Sequence, residues 1–139
     1  MDKVLIINGP NLNWVGKREP DVYGSQSLEV YLEGLGDTVE VVFTNLEGEI
    51  INLLQEAEEN PKYTGIIINA GGYSHTSIAI ADTIRAMSKP IISVHVSNVF
   101  NRETQRHTDL IAAACMGFVG GFGLKSYEIA LHALQVYKQ

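Results

Sequence analysis

The chain has 139 residues, enough for one domain and too few for two with separate cores. Apolar residues make up 45% and charged residues 19%, a globular composition that excludes a disordered chain. The net charge of −6 argues against a general nucleic-acid binder, which needs a dense basic stripe, but not against a small anionic ligand held by a few arginines and backbone N–H groups.

Val4–Asn8 is a short apolar run that ends in Asn8-Gly9-Pro10, the pattern of a strand entering a chain break. A long connection from Gly9 to Ser27 follows, and the spacing then predicts a short helix over Leu28–Leu35, interrupted by Gly34. Val39–Thr44 is a second β-branched run. Glu47–Glu59 places Ile50, Ile51, Leu53, Leu54 and Ala57 on one helical face with acids outside. Gly65–Asn69 reads as a third strand, Ser77–Met87 as a helix with Ser77 as its N-cap, and Pro90–His95 as a fourth strand. Within the apolar run Ile111–Val119, Cys115–Val119 reads as a fifth strand. Ser126–Tyr137 closes the chain as a helix whose sparse charge suits contact with another subunit. Cys115 is the sole cysteine, so no intrachain disulfide can form, and its apolar surroundings suit a buried inert thiol. The N-terminus lacks a signal-peptide pattern and no apolar stretch approaches the ~20 residues of a membrane span, so a cytoplasmic protein without membrane contact is expected.

Short, almost wholly apolar strands are those buried on both faces of a parallel sheet. Their alternation with helices implies an α/β fold, and five of them suit a flavodoxin-like three-layer sandwich with a five-stranded parallel sheet, residues 1–139 forming a single domain.

Ligands of such sheets bind beyond the carboxyl ends of the strands, so the polar residues that follow each strand carry the chemistry. After the first strand come Asn11, Asn13, Arg18 and Tyr23; after the third come Asn69, Tyr73, Ser74, His75 and Ser77; the fourth ends in His95, Val96, Ser97 and Asn98, followed by Arg102, Arg106 and His107. The connection from Gly9 to Ser27 is far longer than the roughly two to six residues usual between strand and helix, as a binding loop or lid would be. In it Arg18 precedes Tyr23 by five residues, so a folded-back loop brings guanidinium to phenol and favours the phenolate, a strong oxygen base. The plainer alternative has Tyr23 packed on the loop and Arg18 solvated. His75 stands just before a helix whose N–H groups suit a carboxylate, or else it decorates a capping turn. His95 closes a buried strand, either as a hydrogen-bonded core residue or as a general acid.

No Gly-x-Gly-x-x-Gly follows the first strand, no Gly-Lys-Ser/Thr phosphate loop occurs, and no His, Cys or carboxylate group has zinc-like spacing, so chemistry without metal or other cofactor is expected. A flavodoxin-like module that binds flavin or phosphate would need a Ser/Thr/Gly-rich loop where Asn8-Gly9-Pro10-Asn11 stands.

The segments Ile7–Asn13, Arg18–Pro20, Val22–Gly24, Asn45–Glu49, His75–Ser77 and His95–Asn98 resemble, in order and across nearly the whole chain, the motifs of type II 3-dehydroquinases. The resemblance implies removal of water from 3-dehydroquinate by anti elimination through an enolate. Tyr23, activated by Arg18, would be the base and His95 the acid, with Asn11 holding a water on the enolate. Asn69, His75, Val96, Ser97 and Arg106 match positions that hold substrate, and Asp82 one that reaches a neighbouring subunit's site. A homo-oligomer of trimers grouped into a dodecamer is implied as well. The family usually carries Glu two residues before the strand-four His, where Ser93 stands here, on the same strand face. A hydroxyl or water is expected to replace that carboxylate, with a changed acidic limb in the pH–rate profile, and a paralogue that has lost turnover through Ser93 is the remaining alternative.

Overall fold

A computed structural model describes residues 2–16 and 27–137. Five strands, β1 (Lys3–Asn8), β2 (Val39–Phe43), β3 (Tyr63–Asn69), β4 (Ile91–His95) and β5 (Gly117–Gly120), form one all-parallel sheet in the order β2-β1-β3-β4-β5. The helices are α1 (Leu28–Glu33), α2 (Glu47–Glu59), α3 (Ile78–Arg85), α4 (Leu110–Ala114) and α5 (Lys125–Val136). This is the flavodoxin-like winding, with its reversal of strand order beside β1 and β3.

Strand side chains alternate between faces, and that alternation divides the core in two. Leu5, Ile7, Ile66, Ile68 and Ile91 pack with Ile50 and Leu54 of α2, Ile80 and Ile84 of α3 and Ile111 of α4. Ile6, Ile67, Ile92 and Val94 pack with Leu28 and Leu32 of α1 and Tyr127 and Ala130 of α5. The result is three layers, α1 and α5 on one side and α2 to α4 on the other. By the same alternation Ser93 and His95 face the α2–α4 side with Ile91.

The predicted elements appear with ends displaced by a residue or two, and Ser77 caps α3, its Oγ accepting from the Ile80 N–H at 3.0 Å. The exception is α4. The run Ile111–Val119 was expected to hold only a strand from Cys115, but its first part is helical, Cys115 ends that helix, and the strand begins at Gly117. A five-residue helix of sequence LIAAA is too short and too uniformly apolar to display a period of 3.6. Cys115 is partly buried, and desolvation followed by the Asp109 charge pushes its thiol up to about 12, as expected of an inert group. Among the described residues no helix is long and apolar enough to cross a membrane.

Candidate active site

The carboxyl ends of β1, β3 and β4 open into a cleft of about 310 Å³ lined by Asn11, Trp14, Asn69, His95, Val96, Ser97, Arg102 and Arg106, among others. Its floor depends on a close approach of two chains. The Gly9 N–H donates to the Asn69 carbonyl at 2.7 Å, and a Cβ at Gly9 would lie 2.7 Å from the Ala70 oxygen. Only glycine permits that contact. Asn11 follows in the left-handed region at φ 69°, its N–H donating to Asn45 Oδ1 at 3.0 Å, which holds the first loop against the start of α2.

Beneath the cleft the Tyr127 hydroxyl donates to Asn8 Oδ1 at 2.6 Å and accepts from Asn69 Nδ2 at 2.9 Å, while Asn69 Oδ1 accepts from the Gly71 N–H at 3.2 Å. Burial holds the Tyr127 phenol well above its ordinary pKa, so it stays protonated and the amide of Asn69 has one orientation. Sequence patterning places Tyr127 only in the first turn of the last helix, with no role assigned to it. Nothing in that pattern distinguishes a hydroxyl that fixes a site residue from one that merely fills the core.

His95 is buried, and its Nε2 lies 2.7 Å from Asp109 Oδ2. A carboxylate can only accept, so Nε2 carries the proton, and among the described residues Nδ1 makes no hydrogen bond. Desolvation raises the Asp109 pKa, but the hydrogen bond from His95, that from the Ala112 N–H and the nearby imidazoles of His95 and His75 outweigh it and leave the carboxyl below its ordinary value. Asp109 is therefore a carboxylate at neutral pH. Its other oxygen caps α4, accepting from Ile111 N at 3.1 Å and Ala112 N at 2.9 Å. The imidazole partner expected near position 93, a hydroxyl or water, is thus corrected. Ser93 Oγ is buried and has no hydrogen-bond partner among the described residues, and a carboxylate serves from a different element.

His75 stacks on His95, ring centroids 5.9 Å apart and planes 15° from parallel. Its Nδ1 lies 2.8 Å from the Thr108 carbonyl, an acceptor, so the proton sits on Nδ1 and the buried Nε2 offers a lone pair with no partner among the described residues. Arg106 brings its guanidinium to the cleft while its Nε donates to Glu103 at 2.6 Å; Arg102 lines the same wall. Of the remaining candidates, Asp82 is exposed on α3 and does not line the cleft, and Arg18 and Tyr23 lie outside the described residues. Among the described residues no group of His, Cys, Asp and Glu is placed to hold a metal ion.

A polar cleft lined by an imidazole and two arginines, at the switch point of a doubly wound parallel sheet, defines a flavodoxin-like α/β protein with a candidate active site. The family described as Dehydroquinase class II matches residues 2–135. A 3-dehydroquinate dehydratase from Exiguobacterium sp. is 50% identical over 139 residues, covering 95% of this chain and 93% of the relative. Among solved structures, the type II dehydroquinase of Butyrivibrio crossotus aligns with a TM-score of 0.89 at 40% identity, covering 96% of this chain and 97% of that one. The enzyme from Propionibacterium acnes gives 0.87 at 37% identity, covering 99% and 98%. The chain belongs to the class II dehydroquinase family and is a hydro-lyase.

Proposed function

We propose that this enzyme converts 3-dehydroquinate to 3-dehydroshikimate by anti elimination of water through an enolate. The observation that carries the reading is His95, held at its Nε2 by Asp109 at the edge of a cleft walled by Arg102 and Arg106. The names of the relatives supply the substrate.

In this reading Tyr23, its phenolate favoured by the Arg18 guanidinium, takes a proton from C2. The C–H electron pair moves into the adjacent carbonyl, and the enolate oxygen is stabilised by a water that Asn11 holds. The enolate then collapses and expels the C1 hydroxyl, which takes a proton from His95 and leaves as water. An enolate needs fixed donors where its charge develops, and a leaving hydroxide needs an acid, so each residue answers one demand of the chemistry. Asn69, His75, Val96, Ser97 and Arg106 hold the substrate's hydroxyls and carboxylate. Arg106, which lines the cleft, suits the carboxylate. Asp82, exposed on α3, serves a neighbouring subunit's site in trimers that group into a dodecamer. No metal or organic cofactor takes part.

An amine nucleophile offers a different route to the same product, through an imine, but among the described residues that line the cleft there is no lysine. The test follows the conjugated enone by absorbance for the wild type and Tyr23→Phe, with and without borohydride. Turnover by the wild type, a fall of about 10²- to 10⁴-fold in kcat for Tyr23→Phe, and indifference to borohydride are expected. Inactivation by borohydride that depends on substrate would replace the phenolate scheme with an imine scheme.

A further inference from the structure

The two stacked imidazoles are held from behind by one dipeptide. The Thr108 carbonyl accepts from His75 Nδ1 at 2.8 Å, and the next residue, Asp109, accepts from His95 Nε2 at 2.7 Å. Both members of the second pair are close to buried, their side chains 9% and 11% exposed. Asp109 cannot swing away, because its other oxygen is fixed by the Ile111 and Ala112 N–H groups. The Ser93 hydroxyl, on the same strand face as His95, makes no bond among the described residues that could compete for the ring.

We propose that Asp109 is the positioning carboxylate of this enzyme: through Nε2 it fixes the ring orientation and tautomer of His95, so that Nδ1 is the nitrogen that delivers the proton to the departing hydroxyl. The inference rests on the dehydratase reading for its consequence in turnover, but not for the geometry of the pair. A carboxylate on the far nitrogen of an acid–base histidine selects the tautomer and stabilises the imidazolium, and its loss leaves a ring with its proton on the wrong side. The other ionisable groups around His95 do not duplicate this. His75 meets it face to face, Arg102 and Arg106 line the same cleft with cationic charge, and His107 lines the adjoining groove, where its Nε2 lies 3.1 Å from the Arg102 carbonyl.

Asp109→Asn separates the two duties of this side chain. Its amide oxygen still accepts from Ile111 and Ala112 and preserves the cap, while the group that faces Nε2 becomes neutral. Asp109→Ser is the second variant, capping the helix with a hydroxyl too short to reach the ring. Both are expected to lower kcat by about 10²-fold with KM changed less than about threefold, the pattern of an interaction made in the transition state. In nitrogen-15 spectra of the side chains, His95 is expected to hold its proton on Nε2 in the wild type and to shift toward the Nδ1–H tautomer in Asp109→Asn. A normal kcat in both variants overturns the proposal, as does a fall in kcat without a change of tautomer. If the wild type itself forms no enone, the dehydratase reading fails, and the tautomer comparison still decides whether Asp109 sets the ring.

Discussion

Asp109 divides its oxygens between a helix and a ring, and both partners prefer the ionised form. Its pKa in the folded state is therefore below the ordinary aspartate value of about 3.9, despite burial. The sign of the stability effect follows. The contribution is fully present above the unfolded value and is lost as pH falls through the lowered folded one. In denaturant unfolding, the advantage of the wild type over Asp109→Asn is expected to hold at pH 5 to 6 and to shrink steadily below about pH 4. A difference that does not change across that interval would mean that the carboxylate makes no net ionic contribution. The same residue revises the expectation attached to Ser93. A changed acidic limb assumed a neutral partner for His95, and the partner is a carboxylate. An acid that must be protonated in turnover governs the alkaline side of a pH–rate profile in any case, and the base governs the acidic side.

At the scale of elements, the site is a meeting of strand ends. Asn8 and Asn69 are register partners on β1 and β3, and Gly9 carries the first chain over the second with no room for a side chain. Gly9→Ala would drive a methyl group to 2.7 Å from the Ala70 backbone oxygen, an obstacle that no rotamer change relieves. A loss of roughly 1–3 kcal/mol in unfolding free energy is expected, together with a raised KM as Asn69 and Asn11 move apart. Unaltered stability and KM would show that the two chains separate easily. These strands were readable from the sequence because each is a short apolar run closed by a polar residue, and α2 because thirteen residues display nearly four turns of one apolar face. Helix α4 was not, since LIAAA looks the same from every side. Asp109 was hidden with it: an acid before a short apolar run signals at most a cap, and its second partner lies 14 positions back on another element. Contacts of that kind arise from tertiary placement, which spacing does not encode.

For the whole molecule, the edge strand β5 and several helix and loop positions expose large apolar side chains among the described residues. Phe118 is 61% exposed on the edge strand β5, Ile78 is 66% exposed beside the cap of α3, and Phe100 and Phe122 are similarly open. Light scattering is expected to give a mass several times the 15.3 kDa of one chain, in keeping with the proposed assembly. A monomeric mass at micromolar concentration would remove that assembly and the part proposed in it for Asp82. Chain-wide order was legible because the motifs recur at every strand end from β1 to β4. What they could not convey is which side chain from outside the motifs the fold turns toward them, as it turns Asp109 toward His95.

The capped helix behind His95 has only five residues and one fully buried side chain, Ile111. Segments so short open by local fluctuation at a lower free-energy cost than the sheet they rest on. Each opening releases the N–H groups that hold Asp109 while the five strands stay paired, so the support behind the imidazole is less durable than the sheet that carries the ring.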